Sequence, residues 1–342
     1  MNTSSKIDPK VDPKAAPSAA SKVDSKTART LLIVAFATVY IIWGSTYLAI
    51  RMAVETLPPF LLAAARFLIA GSMMFAWLRL RGVAMPSGIQ WRHAAIAGVL
   101  MLLGGNGLVV WAEQEVSSSL AALMVALTPV WFALLDWLRP AGKRPPLYTW
   151  AGIVVGFAGV AWLVSGRNGL SVSQNPWGVA ALVLAGFSWA AGSLWSRYHP
   201  KPESPWMNAA LQMICGGAAL LALSLFHGEP AHFHFAQASA RSWWALLYLV
   251  VFGSWIAFSA YVWLLKASTP ARVATYAYVN PVIAVLLGGL WLHEPLGLRT
   301  LWAAAIILAG VVITTLPQRD QRDAGPNCGG RELNRACRPP GN

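Results

Sequence analysis

Apolar stretches long enough to cross a lipid bilayer follow one another along most of this chain, and no other feature limits its possible folds so severely. At about 1.5 Å per residue, roughly 20 apolar residues cover the hydrocarbon core. The sequence offers Leu31 to Ile50, Pro59 to Leu80, Ala94 to Trp111, Leu120 to Leu138, Thr149 to Ser165, Trp177 to Ser196, Trp206 to Phe226, Trp243 to Leu265, Arg272 to Leu292 and Leu301 to Leu316. Inside lipid, every backbone N–H and C=O must be satisfied within the structure, so such segments are helices. With 56% hydrophobic and only 11% charged residues, the chain cannot coat a soluble body of this size with polar groups. The expectation is an all-α polytopic membrane protein with ten transmembrane helices.

An even number of spans puts both termini on one side, and the basic residues choose the side. With the N-terminus inside, 21 of the 26 Lys and Arg fall in inner loops and tails; Arg51, Arg167, Arg241 and Arg299 fall outside and Arg66 within a span. This predicts an N-in, C-in membrane protein. The net charge of +13 sits in loops and tails rather than on one folded face, so no nucleic acid partner is expected. Residues 1–29, rich in Lys, Ala, Ser, Pro and Asp, read as a disordered cytoplasmic tail, and 318–342 as a second one. The apolar run from Leu31 is too long for a signal-peptide core and is read as the first membrane helix. Cys215 lies in an apolar segment while Cys328 and Cys337 lie in the inner tail, so no disulfide framework is expected.

A weak internal repeat runs through the chain. Aligning Pro129 with Pro281 also matches Ala122 with Ala274, Val130 with Val282, Leu134 with Leu286, Leu135 with Leu287 and Leu138 with Leu290. A nearly equal offset pairs Ala158-Gly159-Val160 with Ala309-Gly310-Val311. Five helices per repeat is an odd number, so residues 30–166 and 167–317 would lie in opposite orientation, the inverted-topology plan of secondary transporters.

Polar and aromatic groups inside the spans mark candidate sites. Trp43 and Tyr47, with Ser45 beside them, form a stripe on the first span. Gly104-Gly105-Asn106-Gly107 interrupts the third span and Gly253-Ser254 the eighth, either as close packing or as room for a substrate. Trp189 lies beside a small-residue face on the sixth span. On the eighth, Ser254 with Tyr261 and Trp255 with Ser259 form two adjacent part-polar stripes. Tyr276 and Asn280 share a face of the ninth, where a buried amide must meet protein or a wet cavity. Pro129 and Pro281 each free a carbonyl four residues back, Val125 and Ala277, so each is a static kink or a hinge. Arg66, inside the second span, needs a partner; a structural ion pair with Glu113 or Glu115 is the first reading, and anion recognition or gating the alternative. No Walker motif, spaced His/Cys ligand set or partnered nucleophile is present, so neither an enzyme nor a cofactor or metal is expected.

The chain resembles the EamA-type branch of the drug/metabolite transporter superfamily, most closely its YedA-like exporters. The resemblance rests on Trp43-Gly44-Ser45-Thr46-Tyr47, Ile50-Arg51, Pro58-Pro59, Arg66-Phe67, Ala70-Gly71, Gly105-Asn106, Ala112-Glu113, Leu120 to Leu123 with Pro129, Asn175-Pro176-Trp177-Gly178, Tyr276 to Pro281 and Glu294-Pro295-Leu296. It covers Leu31 to Leu316. It departs at Asp136-Trp137-Leu138-Arg139-Pro140 and His293-Glu294-Pro295-Leu296, where Gly-Glu-x-Leu is usual, and it lacks the first-helix Glu of small multidrug relatives. The resemblance implies two inverted five-helix repeats around a cavity lined by spans 1, 3, 4, 6, 8 and 9. It also implies transport across the cell inner (plasma) membrane, often efflux, of amino acids, other metabolites or drugs. An integral-membrane enzyme built on the Arg66 and Glu113 region and a passive facilitator are the alternatives. A coupling proton, and a monomer or homodimer, stay open.

Overall fold

The computed structural model describes residues 25–139, 147–164, 176–268, 270–291 and 297–314. The outer parts of both tails, with Cys328 and Cys337, lie outside the described residues, as do Pro140, Asn175 and the His293 to Leu296 element. The first half contains α1 (Ser25–Ala53), α2 (Pro59–Leu80), then a column of α3 (Gly88–Gly98), a π-helical segment (Val99–Gly107) and α4 (Leu108–Ala112). A broken column of α5 (Ser118–Val125) and α6 (Thr128–Leu138) follows, then α7 (Leu147–Val164). The second half contains α8 (Pro176–Tyr198), α9 (Pro205–Phe226), the short α10 (Glu229–His232), and a column of α11 (Ala240–Tyr248), a second π-helical segment (Leu249–Phe258) and α12 (Ser259–Ala267). The short α13 (Pro270–Val273), α14 (Tyr276–Trp291) and α15 (Leu298–Thr314) come last. Among the described residues, seven helices are long and apolar enough to cross a membrane.

Burial is inverted relative to a water-soluble protein. Ile41, Trp77, Leu184, Phe226 and Trp302 point outward and are exposed, while Arg66, Glu113, Gln212 and Asn280 are buried. A contiguous apolar exterior of this kind is stable only against lipid. α1 starts at Ser25, inside the stretch read as a disordered tail, because a polar first turn carrying Lys26 and Arg29 can project beyond the apolar helix without needing a buried face.

Helix ends are satisfied by side chains carried on distant elements. The two N–H groups that open α2, those of Phe60 and Leu61, donate to Oε1 and Oε2 of Glu229 at 3.2 and 2.7 Å, and the Ser224 hydroxyl donates to the same carboxylate at 2.7 Å. The carboxylate thus caps a helix N-terminus, where negative charge is favoured. Glu229→Ala is expected to lower stability by about 1 kcal/mol, read as a lower unfolding temperature of the purified protein with the fold retained; an unchanged temperature would show the cap to be idle.

Helix pairing follows a simple rule. α1 packs on α14 and on the α11 to α12 column; α8 packs on α5 and α6 and on the α3 to α4 column. α2 pairs with α9, α5 with α14 and α7 with α15. Exchanging each helix of the first half for its counterpart in the second returns most of the main pairings, an arrangement that fits a two-repeat architecture. The two π segments support it, since Val99 and Leu249, where they begin, are separated by a distance in sequence within two residues of that between Pro129 and Pro281.

Backbone contacts set the closest crossings. A Cβ on Gly98 would lie 2.4 Å from the carbonyl oxygen of Gln212, and one on Gly216 would lie 2.6 Å from that of Gly98, so α3 and α9 touch main chain to main chain. Small residues permit such approach where lipid offers no hydrophobic drive between helices.

Pro129 stands in the first turn of α6, not in the middle of a continuous helix. The column breaks between Val125 and Thr128, and the Thr128 hydroxyl donates to the Val125 carbonyl at 2.5 Å, supplying the bond that proline cannot. Pro281 lies inside α14, and the matching break, between α13 and α14, falls one turn earlier in the repeat register. Thr128→Val is expected to cost about 1 to 3 kcal/mol by leaving the Val125 carbonyl without a donor, again measured by thermal unfolding; equal stability would mean that the carbonyl finds another partner.

Candidate functional site

The helix breaks and π segments surround one cavity. It is bounded by Trp43, Tyr47, Arg66, Asn106, Trp189, Tyr276 and Asn280, with Thr46, Phe67, Gly105, Val109, Val125, Ala185, Gly253 and Phe258 between them. Contributions come from α1, α2, both π segments, α4, α5, α8 and α14. The lining is that of a small-molecule site, mostly apolar with few polar groups.

One wall is aromatic. Trp43 meets Trp189 and Tyr276 edge-on, at centroid distances of 5.4 Å for both, and Tyr261 at 4.8 Å. The wall is fixed by hydrogen bonds whose protons can be assigned. Trp43 Nε1 donates to the Gly253 carbonyl at 3.2 Å. Ser193 spends its proton on the Trp189 carbonyl, so the Tyr261 hydroxyl donates to Ser193 at 2.8 Å and accepts from Trp189 Nε1 at 3.0 Å. Tyr261 is fully buried and stands behind the wall. Sequence reasoning places it in the cavity; the structure makes it the support that orients Trp189.

The π segments explain why two helices can meet the cavity with backbone. A wide turn frees main-chain carbonyls, and these segments often mark functional positions. Ser188 of α8 donates to the Leu100 carbonyl of the first at 2.7 Å, and Trp43 of α1 donates to the Gly253 carbonyl of the second. The donors come from corresponding helices of the two halves.

The same wide turn corrects one expectation. Trp255 turns away from the cavity and lines an apolar outer groove with Leu31, Val34, Trp77, Trp206 and Trp263. Its neighbour Ser254 is completely buried beside the cavity. The two adjacent stripes thus part, Ser254 meeting Arg66 inside and Trp255 facing the outer groove. Ser45 also lies elsewhere: its hydroxyl donates to the Ile42 carbonyl at 2.7 Å and accepts from Tyr248 at 2.6 Å, joining α1 to α11. Pro129 and Pro281 do not line the cavity; the residue at the first break that does is Val125.

Arg66 is 3% exposed and reaches the cavity. Its Nε donates to Ser254 Oγ at 2.7 Å, and its Nη1 is buried without a hydrogen-bond partner. Glu113, at the end of α4, is fully buried. Arg51 donates through Nη1 to the backbone carbonyls of Glu113 and of Gln114, the latter at 2.7 Å, tying the end of α1 to the end of α4. The carbonyl oxygens of Tyr276 and Tyr40 lie 3.2 and 3.1 Å from one end of the Asn280 amide, which identifies that end as the NH2 donor. Asn280 thereby ties α14 to α1 at the cavity edge. Among the described residues no group of His, Cys, Asp and Glu could hold a metal ion.

A cavity framed by helix interruptions, in a fold that is helical throughout its described residues, is an arrangement membrane transporters use. The sequence profile of the EamA-like transporter family matches residues 30–165 and 176–316. The inner membrane transporter YedA of Escherichia coli K12 is 40% identical over 283 residues, covering 82% of this chain and 90% of its own. A WAT1-related chloroplastic protein of Arabidopsis thaliana is 25% identical over 288 residues, covering 82% of this chain and 68% of its own. A crystal structure with 22% sequence identity superposes with a TM-score of 0.60 over 85% of this chain and 98% of that one, a likeness of fold. The chain belongs to the EamA-like transporter family; it is a membrane transporter and not an enzyme.

Proposed function

We propose that the protein is a secondary transporter of the inner membrane that exports small metabolites, amino acids or related compounds among them, or drugs, by alternating access. The observation that supports this reading is the cavity between two halves whose main helix pairings correspond. In such an arrangement the two halves can rock past a fixed central site, opening it to one side and then the other. The ten-span, N-in and C-in topology, with repeats over 30–166 and 167–317, belongs to the proposal. So does the assignment of Trp43, Tyr47, Asn106, Trp189, Tyr276 and Asn280 to substrate contact. The breaks at α5/α6 and α13/α14 supply the places where short helices can tilt without disturbing a continuous hydrogen-bond ladder.

The test compares metabolite profiles inside and outside cells that carry the protein, lack it, or carry Ala185→Trp. Ala185 lines the cavity with a small side chain on α8, so tryptophan there fills the site. The expected result is one or more solutes accumulating inside cells without the protein and inside cells with the filled cavity, at equal membrane expression. If Ala185→Trp supports the same efflux as the unaltered protein, the central cavity is not the route.

A further inference from the structure

We infer that a second pocket, between the C-terminal ends of α8 and α12 and the start of α9, binds a phosphate group through Arg197, Lys201 and Lys266. It is separate from the central cavity, and the inference does not depend on what that cavity carries. Ser196, Arg197, Lys201, Asn208 and Lys266 line it. Three cations thus meet in one small space, and among the described residues none of them forms an ion pair. Backbone carbonyls hold them in place instead. Arg197 Nη1 donates to those of Leu265 at 2.5 Å and Ser268 at 2.9 Å, Lys201 Nζ to that of Arg197 at 2.6 Å, and Lys266 Nζ to that of Glu203 at 3.0 Å. These bonds fix where the cations stand but leave their charges uncompensated. Glu203, the acidic residue nearest to Lys201 in sequence, is exposed and pairs with none of them.

Lys201, in the connection between α8 and α9, registers the crowding: burial and the charges of Arg197 and Lys266 hold its ammonium below the usual lysine range. Like charges gathered this closely repel, and a shared anion turns the repulsion into attraction. Arg197 spends only Nη1 on the protein, so further N–H donors of its fork remain for an incoming oxygen. Ser196 adds a neutral donor. Its Oγ accepts from Asn208 Nδ2 at 3.3 Å and from Gln212 Nε2 at 2.7 Å, which leaves its own proton for the pocket. Three cations and a hydroxyl suit phosphate, which spreads its charge over several oxygens. The surroundings favour a lipid as its source. Tyr198, at the end of α8, and Trp206, at the start of α9, are both exposed, and such aromatic residues sit at headgroup level. In the N-in topology proposed above, this end of the bundle meets the inner leaflet, where basic pockets between membrane helices take anionic headgroups.

The experiment uses the purified full chain in detergent, with binding read as a concentration-dependent rise in unfolding temperature. The probes are phosphatidylglycerol, phosphatidylcholine with the same acyl chains, glycerol 3-phosphate and inorganic phosphate. Phosphatidylglycerol is expected to stabilise the protein well beyond phosphatidylcholine, whose choline already neutralises its phosphate. Lys201→Gln combined with Lys266→Gln should raise the half-saturating concentration of phosphatidylglycerol by about tenfold or more, since charge-assisted hydrogen bonds are lost. Lys201 is half-buried and Lys266 exposed, so the fold survives the exchange, and Lys201→Arg with Lys266→Arg should retain binding. Arg81→Gln with Arg92→Gln removes the same charge from exposed positions outside the pocket and should leave the affinity unchanged. Stabilisation by glycerol 3-phosphate or inorganic phosphate, without preference between the lipids and with the same loss in the lysine-to-glutamine protein, upholds the pocket and makes a soluble phosphate its ligand. Equal effects of the two lipids with no effect of either soluble phosphate overturn the inference. Undiminished affinity in the lysine-to-glutamine protein overturns it as well. So does an equal loss in the arginine-to-glutamine protein, which would reduce the effect to diffuse positive charge.

Discussion

Gly98→Ala is expected to abolish a stable fold, whereas Gly88→Ala, ten residues earlier on the same helix, leaves stability unchanged or slightly raised. A methyl group at Gly98 would lie 2.4 Å from the Gln212 carbonyl oxygen and 3.1 Å from Gln212 Cα. Those atoms belong to the backbone of α9 and cannot rotate aside, so the helices must separate. Separation is opposed from the other side, because Gly216 of α9 approaches the Gly98 carbonyl just as closely. Overpacking commonly costs about 1 to 3 kcal/mol when side chains can adjust, and here the main chain has to move, so the upper end or more is expected. At Gly88 nothing lies within 4 Å of the added methyl, and alanine is favoured over glycine in a helix by about 1 kcal/mol. Size-exclusion profiles and thermal unfolding of the two purified variants check the contrast. A monodisperse Gly98→Ala protein that unfolds at the ordinary temperature would show that the α3 to α9 crossing has slack.

The physical reasons for what could and could not be read from sequence are visible in individual residues. Hydropathy gives an all-helical membrane fold because the cost of unsatisfied backbone in lipid leaves few other choices. Trp43, Asn106, Trp189 and Asn280 could be singled out because a polar or large amphipathic group within an apolar run has to face protein, and all four line the cavity. The change of helix type left no comparable trace. Gly104-Gly105-Asn106-Gly107 and Gly253-Ser254 mark interruptions, but both segments are otherwise ordinary apolar residues, and nothing in them spells a wide turn. Of the two adjacent stripes on the second column, the sequence does not say which faces inward, and Trp255 lies in the outer groove. Pro129 marks a disturbance in the fourth span, but Leu120 to Leu138 is apolar throughout apart from Thr128, Pro129 and Asp136, and hydropathy does not register that the hydrogen-bond ladder stops before α6. Arg66 shows the limit of local reasoning. Its burial followed from the span, but its partner, Ser254, lies 188 positions away, and only the packing of α2 against the second π segment brings them together.

These features converge on Trp43, and Trp43→Ala is expected to remove transport while leaving a weakened fold. Trp43 is 8% exposed, and truncating a buried tryptophan costs about 3 to 5 kcal/mol through lost contacts and the space left behind. The loss is not confined to volume. Without the indole the Gly253 carbonyl loses its 3.2 Å donor, at the very turn whose next residue, Ser254, fixes Arg66. The edge-on contacts with Trp189 and Tyr276 disappear together, so α8 and α14 lose their common reference on α1. The aromatic wall and the guanidinium should therefore loosen in a single step. Trp43→Phe separates these contributions: it keeps a ring for the edge contacts but cannot donate to Gly253. Efflux measured at matched membrane expression should fall by about two orders of magnitude in Trp43→Ala and about tenfold in Trp43→Phe, the latter matching one hydrogen bond of about 1.4 kcal/mol. If Trp43→Phe transports as well as the unaltered protein, the bond to the π segment is dispensable and the wall acts through shape alone. If Trp43→Ala also transports normally, the aromatic wall has no part in the route.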